Sequence, residues 1–344
     1  YYIHHNLSAP GWSICYWYSF FVPFNVGATV TAFAFTTLDP VLYLKALERH
    51  RVTTFCAPPT AWRMFVNTDL SGFDLSCLRQ SISAGEPLNP DVITRWEKHT
   101  STRIRDFYGQ TESTAMIGNA PWMAKTMRSG SFGKPIPMYD VALADDEGNE
   151  IKTPDTVGHI VVKLDRWRGI GLFCEYIGNP EKMSAVFVDN FYYTGDRASF
   201  DTDGYWWFVG RADDVIKSSD FRIGPFEVES ALLEHPAVAE AAVVGAPDPH
   251  RYQLVKAYVI LNQGVAPNRD LALDLFRHTT NILAKFKIPR IIEFVTEVPK
   301  TISGKIRRIE LREMSASPSE TPGQGQITEY FYWDFPELSS RKRQ

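Results

Sequence analysis

The chain has 344 residues, with 36 Lys and Arg against 40 Asp and Glu and a formal net charge of −4. That length predicts two domains with room for a sizeable core. The charge balance excludes the basic field that holds nucleic acid or an anionic membrane, so small-molecule partners are expected. Cys15, Cys56, Cys77 and Cys174 show no paired spacing. They read as buried thiols of a reducing, cytoplasmic setting and not as disulfides or zinc ligands. His4 and His5 read as polar residues of the terminus and not as a metal pair.

In chain order, the first feature is the uncharged run Trp12 to Phe35, which is long enough to raise a membrane helix. Pro23, Asn25 and Gly27 interrupt it, and small and β-branched or aromatic residues alternate from Thr29 to Phe35. A buried helix, a turn and a parallel strand covered on both faces account for the same hydropathy, so no membrane span is expected. No secretory signal and no initiator Met open the chain, which leaves the compartment to whatever precedes Tyr1.

Apolar spacing next predicts strands at Val52 to Cys56 and Gln80 to Ala84, and helices at Pro40 to His50 and Asn89 to His99. Alternation of this kind implies α/β architecture, a doubly wound layered domain to about residue 133. From 134 to 210 the pattern turns to strands and tight turns: Val141 to Ala144, the turn Asp146-Glu147-Gly148-Asn149, then His159 to Lys163. This is a β subdomain. Beyond Arg211 a helix opens at Pro225, with Glu227 and Glu229 placed to complement its positive end, and stops before Pro236. Strands at Ala241 to Val244, Leu254 to Leu261 and Arg290 to Val295, with a helix at Arg269 to Lys285, make residues 215–314 a small α+β domain. Ser315 to Gln326 is rich in Ser, Pro, Gly and Gln and reads as a linker. In the tail that follows, Tyr330 to Trp333 and Phe335 either fold back on their own domain or form a docking peptide for a partner.

Five motifs occur in series: YGQTES at Tyr108–Ser113, YYTGD ending at Asp196, DGYWWFVGRADDVIK around Arg211 and Asp213, FRIGPFEVE from Phe221, and PKTISGK ending at Lys305. Each is weak alone, but five in one order, each at the edge of an expected strand or helix, are improbable by chance. Together they resemble the acyl-adenylate-forming synthetases, nearest the acetate and medium-chain acyl-CoA synthetases. A carboxylate is a poor electrophile, and such enzymes convert it with ATP to a mixed anhydride with AMP, which the thiol of CoA then attacks.

The resemblance assigns Asp106 to the adenine amino group, Tyr108 to stacking on the purine, Thr111 to phosphate and Glu112 to Mg²⁺. The residue types suit these tasks: an aromatic face stacks on a base, a hydroxyl donates to phosphate, and Mg²⁺ takes hard oxygen. Gly85, Glu86 and Pro87, between a strand and a helix, form the other wall of the adenine slot. Asp196 is a carboxylate suited to accepting from the two ribose hydroxyls. Arg211 and Arg222 bring permanent guanidinium charge to the phosphates. Lys305 is the electrostatic partner of the reacting carboxylate and α-phosphorus. Asp213 marks the hinge, residues 211–214, about which the C-terminal domain turns.

Gly109, where acetate-specific relatives carry Trp, implies an open floor for a medium-chain or aryl acid. Asp220 stands where the family has Gly beside the CoA thiol. No segment matches the Ser/Thr/Gly-rich phosphate loop of the family, so the resemblance, covering about residues 6 to 313, implies a synthetase missing its N-terminal third, with the large domain incomplete. Two other functions stay open: a domain that loads a carrier-protein thiol, and a catalytically dead nucleotide or acyl-adenylate binding module. The sequence leaves a homo-oligomer open as well.

Overall fold

The computed structural model describes all residues except 1, 9, 36, 124, 220, 302–304, 317–328 and 339–344. The chain divides into two compact units, Tyr1–Phe208 and Val209–Gln344.

A seven-stranded sheet in the order β2-β1-β3-β4-β5-β6-β7 anchors the first unit. Its strands are β1 (Ile3–Asn6), β2 (Thr29–Thr31), β3 (Thr54–Ala57), β4 (Gln80–Ala84), β5 (Ile104–Gln110), β6 (Thr114–Gly118) and β7 (Lys134–Pro135). Pairings from β2 through β5 are parallel, and β6 and β7 return antiparallel. The register places Phe55, Ser81 and Ile104 on one face. Asn6, Cys56, Ile82 and Arg105 lie on the other.

On that second face runs a continuous helical segment of α1 (Ser13–Tyr16), a π-helical turn (Trp17–Phe21) and α2 (Val22–Asn25). Asn6 fastens it by donating from Nδ2 to the Ile14 carbonyl at 3.2 Å and to Ser19 Oγ at 3.0 Å. The first face packs on α3 (Pro40–Arg49), α4 (Pro59–Val66) and α5 (Pro90–His99), whose Leu44, Leu47, Trp62 and Trp96 meet Phe55 and Ile104 in the core. Each of these three helices carries Pro in its first turn, where the missing N–H costs nothing. Asp39 and Asn89 cap α3 and α5 by accepting from the first free amides.

Three expectations need correction here. The helix of the uncharged run is not buried all round, because only its sheet-facing side is held: Phe20, Phe21 and Phe24 are each more than half exposed. A parallel strand does follow it, as β2, but it is a short edge strand of Thr29–Thr31 with Thr29 exposed and is not covered on both faces. His4 and His5 are not loose terminal residues but buried members of β1. His5 stacks on Phe33 at 4.1 Å between ring centres and bonds to the Tyr43 hydroxyl, and burial pushes its pKa down to about 4, which keeps the ring neutral. Of the cysteines only Cys56 is buried, while Cys174 is exposed; all four are free thiols.

A second sheet follows the order β11-β12-β10-β8-β9, with β13 on β12. It comprises β8 (Val141–Ala144), β9 (Glu150–Ile151), β10 (Gly158–Lys163), β11 (Phe187–Val188), β12 (Phe191–Phe200) and β13 (Trp206–Arg211), with α6 (Pro180–Val186) before β11. Asp145 shapes the tight turn between β8 and β9 by accepting from the amides of Glu147 and Asn149.

In the second unit β14 (Ile216–Ser218) and β15 (Phe221–Ile223) form a hairpin, then come α7 (Pro225–Leu233), β16 (Val238–Asp248), β17 (Tyr252–Leu261), α8 (Arg269–Ile282), β18 (Ile291–Phe294) and α9 (Arg308–Ala316). The tail folds back on this unit. Strand β19 (Glu329–Phe331) pairs antiparallel with β18, and Phe335, 2% exposed, enters the core beside Phe276. Glu229 does not serve the helix start as expected; its carboxylate is buried against Arg308 and the amide of Val243.

Candidate active site

Parallel strands end their carbonyl edge at the loops where open α/β sheets hold ligands, and the expected nucleotide residues of the first unit gather there. Gly85 closes β4 with φ of +103°, a conformation that favours glycine. Its α-carbon faces Ile14 of α1. One residue past Pro87, the amide of Leu88 donates to Asp106 Oδ2 at 3.2 Å, so the Gly85-Glu86-Pro87 turn and β5 are joined by the Asp106 carboxylate. The amide of Phe107 donates to the other oxygen at 3.1 Å.

Burial of Asp106 outweighs these two donors and pushes its pKa up to about 8. An exposed Asp releases its proton near pH 4, so between about pH 4 and 8 the folded chain binds more protons than the unfolded chain. The contribution of this group therefore makes stability fall as pH rises through that window. Asp106→Asn should flatten this part of the profile, as read from denaturant midpoints taken at intervals from pH 5 to 8, about 5 being the acid end. Equal slopes for the two proteins would place the titrating group elsewhere.

The motif YGQTES spans the β5–β6 turn. Tyr108 packs against Phe132 and Phe208 and donates its hydroxyl to Asp196 Oδ2 at 2.7 Å. Gln110 donates from Nε2 to the same oxygen at 2.9 Å and to the Thr194 carbonyl at 2.7 Å, while Tyr192 donates to Gln110 Oε1 at 2.9 Å. Two motifs 88 residues apart in sequence thus fix one carboxylate. Thr111 is exposed and donates to Ser13 Oγ at 3.2 Å, at the start of α1. Glu112 accepts from the Tyr176 hydroxyl at 2.8 Å.

Gln110, Tyr192, Tyr176 and Ser13 were not singled out in the sequence. Gln110 and Tyr192 lie inside the quoted motifs, where their amide and hydroxyl were the available signal; Tyr176 and Ser13 lie in no motif.

Gly109 has a backbone explanation. A β-carbon there would stand 1.8 Å from the carbonyl oxygen of Thr114, across the irregular register between Tyr108 and Gly109. With this backbone a side chain could enter only if the turn shifted, so the identity of Gly109 alone does not report the depth of an acyl pocket.

In the second unit Arg211 and Asp213 are exposed and pair at 3.3 Å. Arg222 is exposed on β15, opposite Lys217. Lys305 is bonded to Thr301: its amide donates to Thr301 Oγ1 at 3.1 Å and its carbonyl accepts from the Thr301 amide at 2.8 Å. Asp220 lies outside the described residues. Among the described residues no group of three or more His, Cys, Asp or Glu is arranged to hold a metal, and no helix is long and apolar enough to cross a membrane.

Residues 7–167 match the AMP-binding enzyme family and residues 227–305 match the C-terminal domain of AMP-binding enzymes; the chain belongs to this family. It is 57% identical over 312 residues to 4-hydroxybutyrate–CoA ligase 1 of Metallosphaera sedula, covering 90% of this chain and 55% of that protein. It is 44% identical over 309 residues to the mitochondrial acyl-coenzyme A synthetase ACSM3 of Rattus norvegicus, covering 89% and 53%. Among solved structures, an anthranilate CoA ligase in complex with anthranoyl-AMP aligns with a TM-score of 0.82 at 34% identity, covering 91% of this chain and 60% of that one. A benzoate CoA ligase from Burkholderia xenovorans aligns with a TM-score of 0.78 at 30% identity, covering 90% and 61%. The chain spans about half the length of the curated relatives it matches.

Proposed function

We propose that the protein is an AMP-forming acyl-CoA synthetase for a medium-chain or aryl carboxylic acid. The carboxylate attacks the α-phosphorus of ATP, pyrophosphate leaves, and the thiolate of CoA then displaces AMP from the acyl-adenylate. One observation carries this reading: Tyr108 and Gln110 of YGQTES converge with YYTGD on a single oxygen of Asp196, beside an aromatic wall. That is an assembly suited to a ribose and a purine.

In this reading Asp196 accepts from the ribose, Asp106 and the Gly85–Pro87 turn bound the adenine, and Tyr108 offers its ring. Thr111, Arg211 and Arg222 serve the phosphates, and Lys305 offsets charge at the reacting carboxylate. Asp213 is the pivot, and Asp220 borders the arm of CoA. Glu112 supplies one hard carboxylate oxygen held in orientation by Tyr176, and Mg²⁺ bound with substrate phosphates commonly needs only one or two carboxylates. When bound, Mg²⁺ would neutralise charge on the phosphates. An aryl acid draws support from the relatives named for anthranilate and benzoate, whereas the relative named for 4-hydroxybutyrate points to a short, hydroxylated acid. A cytoplasmic setting belongs to the same proposal, although the rat relative is mitochondrial.

The test uses the 344-residue chain with pre-formed benzoyl-AMP or hexanoyl-AMP and CoA, which needs no site for the β- and γ-phosphates. Release of AMP with formation of the acyl-CoA thioester is expected. Tight binding of the acyl-adenylate with no transfer would favour a binding module instead.

A further inference from the structure

The hairpin that carries Lys305 is held at its root by an unusual density of charge. Its legs are closed by the Arg307 amide donating to the Pro299 carbonyl at 2.9 Å, and by a bridge between Lys300 and Ile306. On one leg Lys300 Nζ donates to Glu240 Oε2 of β16 at 2.6 Å. The other leg runs directly into α9, where Arg308 grips both oxygens of Glu229 on α7, at 2.7 and 2.8 Å. Arg308 also lies 3.9 Å from Asp214, and Arg312, one turn on, bonds to the same Asp214. The side chains of Asp214 and Glu229 are only 11% and 7% exposed. Asp214 is the residue immediately after Asp213.

We infer that Arg308 is a positioning residue for Lys305: through Glu229 and Asp214 it ties the lysine hairpin to the segment that follows Asp213, so that the two move as one body. This rests on the proposed role of Lys305 in adenylation, but the geometry stands apart from it. A guanidinium suits the task because its two terminal nitrogens face different carboxylates at once, Nη2 bonding both oxygens of Glu229 and Nη1 lying 3.9 Å from Asp214, which fixes direction as well as distance. Lysine would keep the charge and lose the direction. Removing Arg308 alone would leave the sheltered Glu229 carboxylate without its cation, Asp214 keeping Arg312, and would be read simply as damage to the fold. The informative variants are therefore Arg308→Lys, which keeps the charge, and the pair Arg308→Met with Glu229→Gln, which removes both partners.

Amide exchange on the 344-residue chain tests the tie. In both variants the amides of Thr301, Lys305 and Arg307 should exchange about tenfold faster, with those of α9 and β16 unchanged, because Leu311 and the rest of that packing stay in place. On the protein as the gene encodes it, acid-dependent adenylation should lose about tenfold or more in kcat with KM for acid and ATP held, while acyl transfer from supplied acyl-AMP to CoA stays within about twofold. Hairpin exchange equal to the parent in both variants overturns the inference, as does loosening of α9 together with the hairpin. Should the paired variant fail to fold, Arg308→Lys decides. A parent chain that transfers no acyl group to CoA would instead count against the proposed function and leave the exchange result standing.

Discussion

Gly109→Ala will destabilise the N-terminal unit by about 3 kcal/mol or more, because its single added carbon must displace backbone and not a side-chain tip. The obstacle is the Thr114 carbonyl oxygen at 1.8 Å, with the carbonyl carbon and the Ala115 α-carbon close behind. Thr114 has φ of +61°, already an uncommon conformation for a β-branched residue, so the turn has little freedom to yield. For a unit of this size the cost corresponds to a fall of about 6–12 °C in melting temperature. Gly72→Ala, where a β-carbon would meet nothing within 4 Å, serves as the control and should leave the midpoint nearly unchanged. Gly109→Trp carries the same clash. Any shift it causes toward shorter acids must therefore be measured against a damaged hairpin. Equal melting temperatures for the parent and Gly109→Ala would show that the β5–β6 turn relaxes freely and would restore Gly109 as a reporter of pocket depth.

Lys305→Ala should lower the adenylation rate by about 100-fold to 1000-fold, the usual cost of deleting one contact to developing charge in a transition state. Thioester formation from supplied acyl-AMP should change little, since the lysine is needed only where carboxylate meets phosphorus. The hairpin bonds involve the main chain of Lys305 and the Thr301 side chain, so truncating the lysine beyond its β-carbon leaves them in place. The measurement is acid-dependent pyrophosphate release beside CoA transfer, on the protein as the gene encodes it. Equal losses in both steps would point to a misfolded C-terminal unit, and loss of neither would remove Lys305 from the chemistry.

Where a signal is local, the sequence was sufficient. Apolar spacing put helices at Pro40 to His50 and Asn89 to His99, and the observed helices, Pro40–Arg49 and Pro90–His99, each differ by one residue at one end. The strands at Gln80–Ala84 and Val141–Ala144 also begin and end where alternation and turn residues put them. What escaped was non-local. The burial of His5 depends on Phe33, Tyr43 and Phe55, which come from three other segments. The exposed side of the helix from Ser13 to Asn25 looks the same in sequence as a side that a neighbour covers. At the candidate site, Asp196 and Tyr108 were legible as residue types, but their contact through one oxygen was not. Gly109 was legible only as an absence of side chain, and periodicity cannot tell whether a ligand or a carbonyl fills the space.

The returning tail has a practical consequence for anyone wishing to produce the C-terminal unit by itself. The family match stops at residue 305, and α9 ends at Ala316, so either point invites a cut. Such a cut would strip β19 from β18, leaving the backbone donors and acceptors that now pair with Glu329, Tyr330 and Phe331 facing solvent. It would also vacate the space of Phe335 and remove Glu329, one of two carboxylates on the buried Lys256 ammonium. A bare strand edge next to an apolar opening is a template for pairing with a neighbouring molecule. The shortened unit would be expected to associate edge to edge or precipitate, and would be a poor stand-in for the intact one.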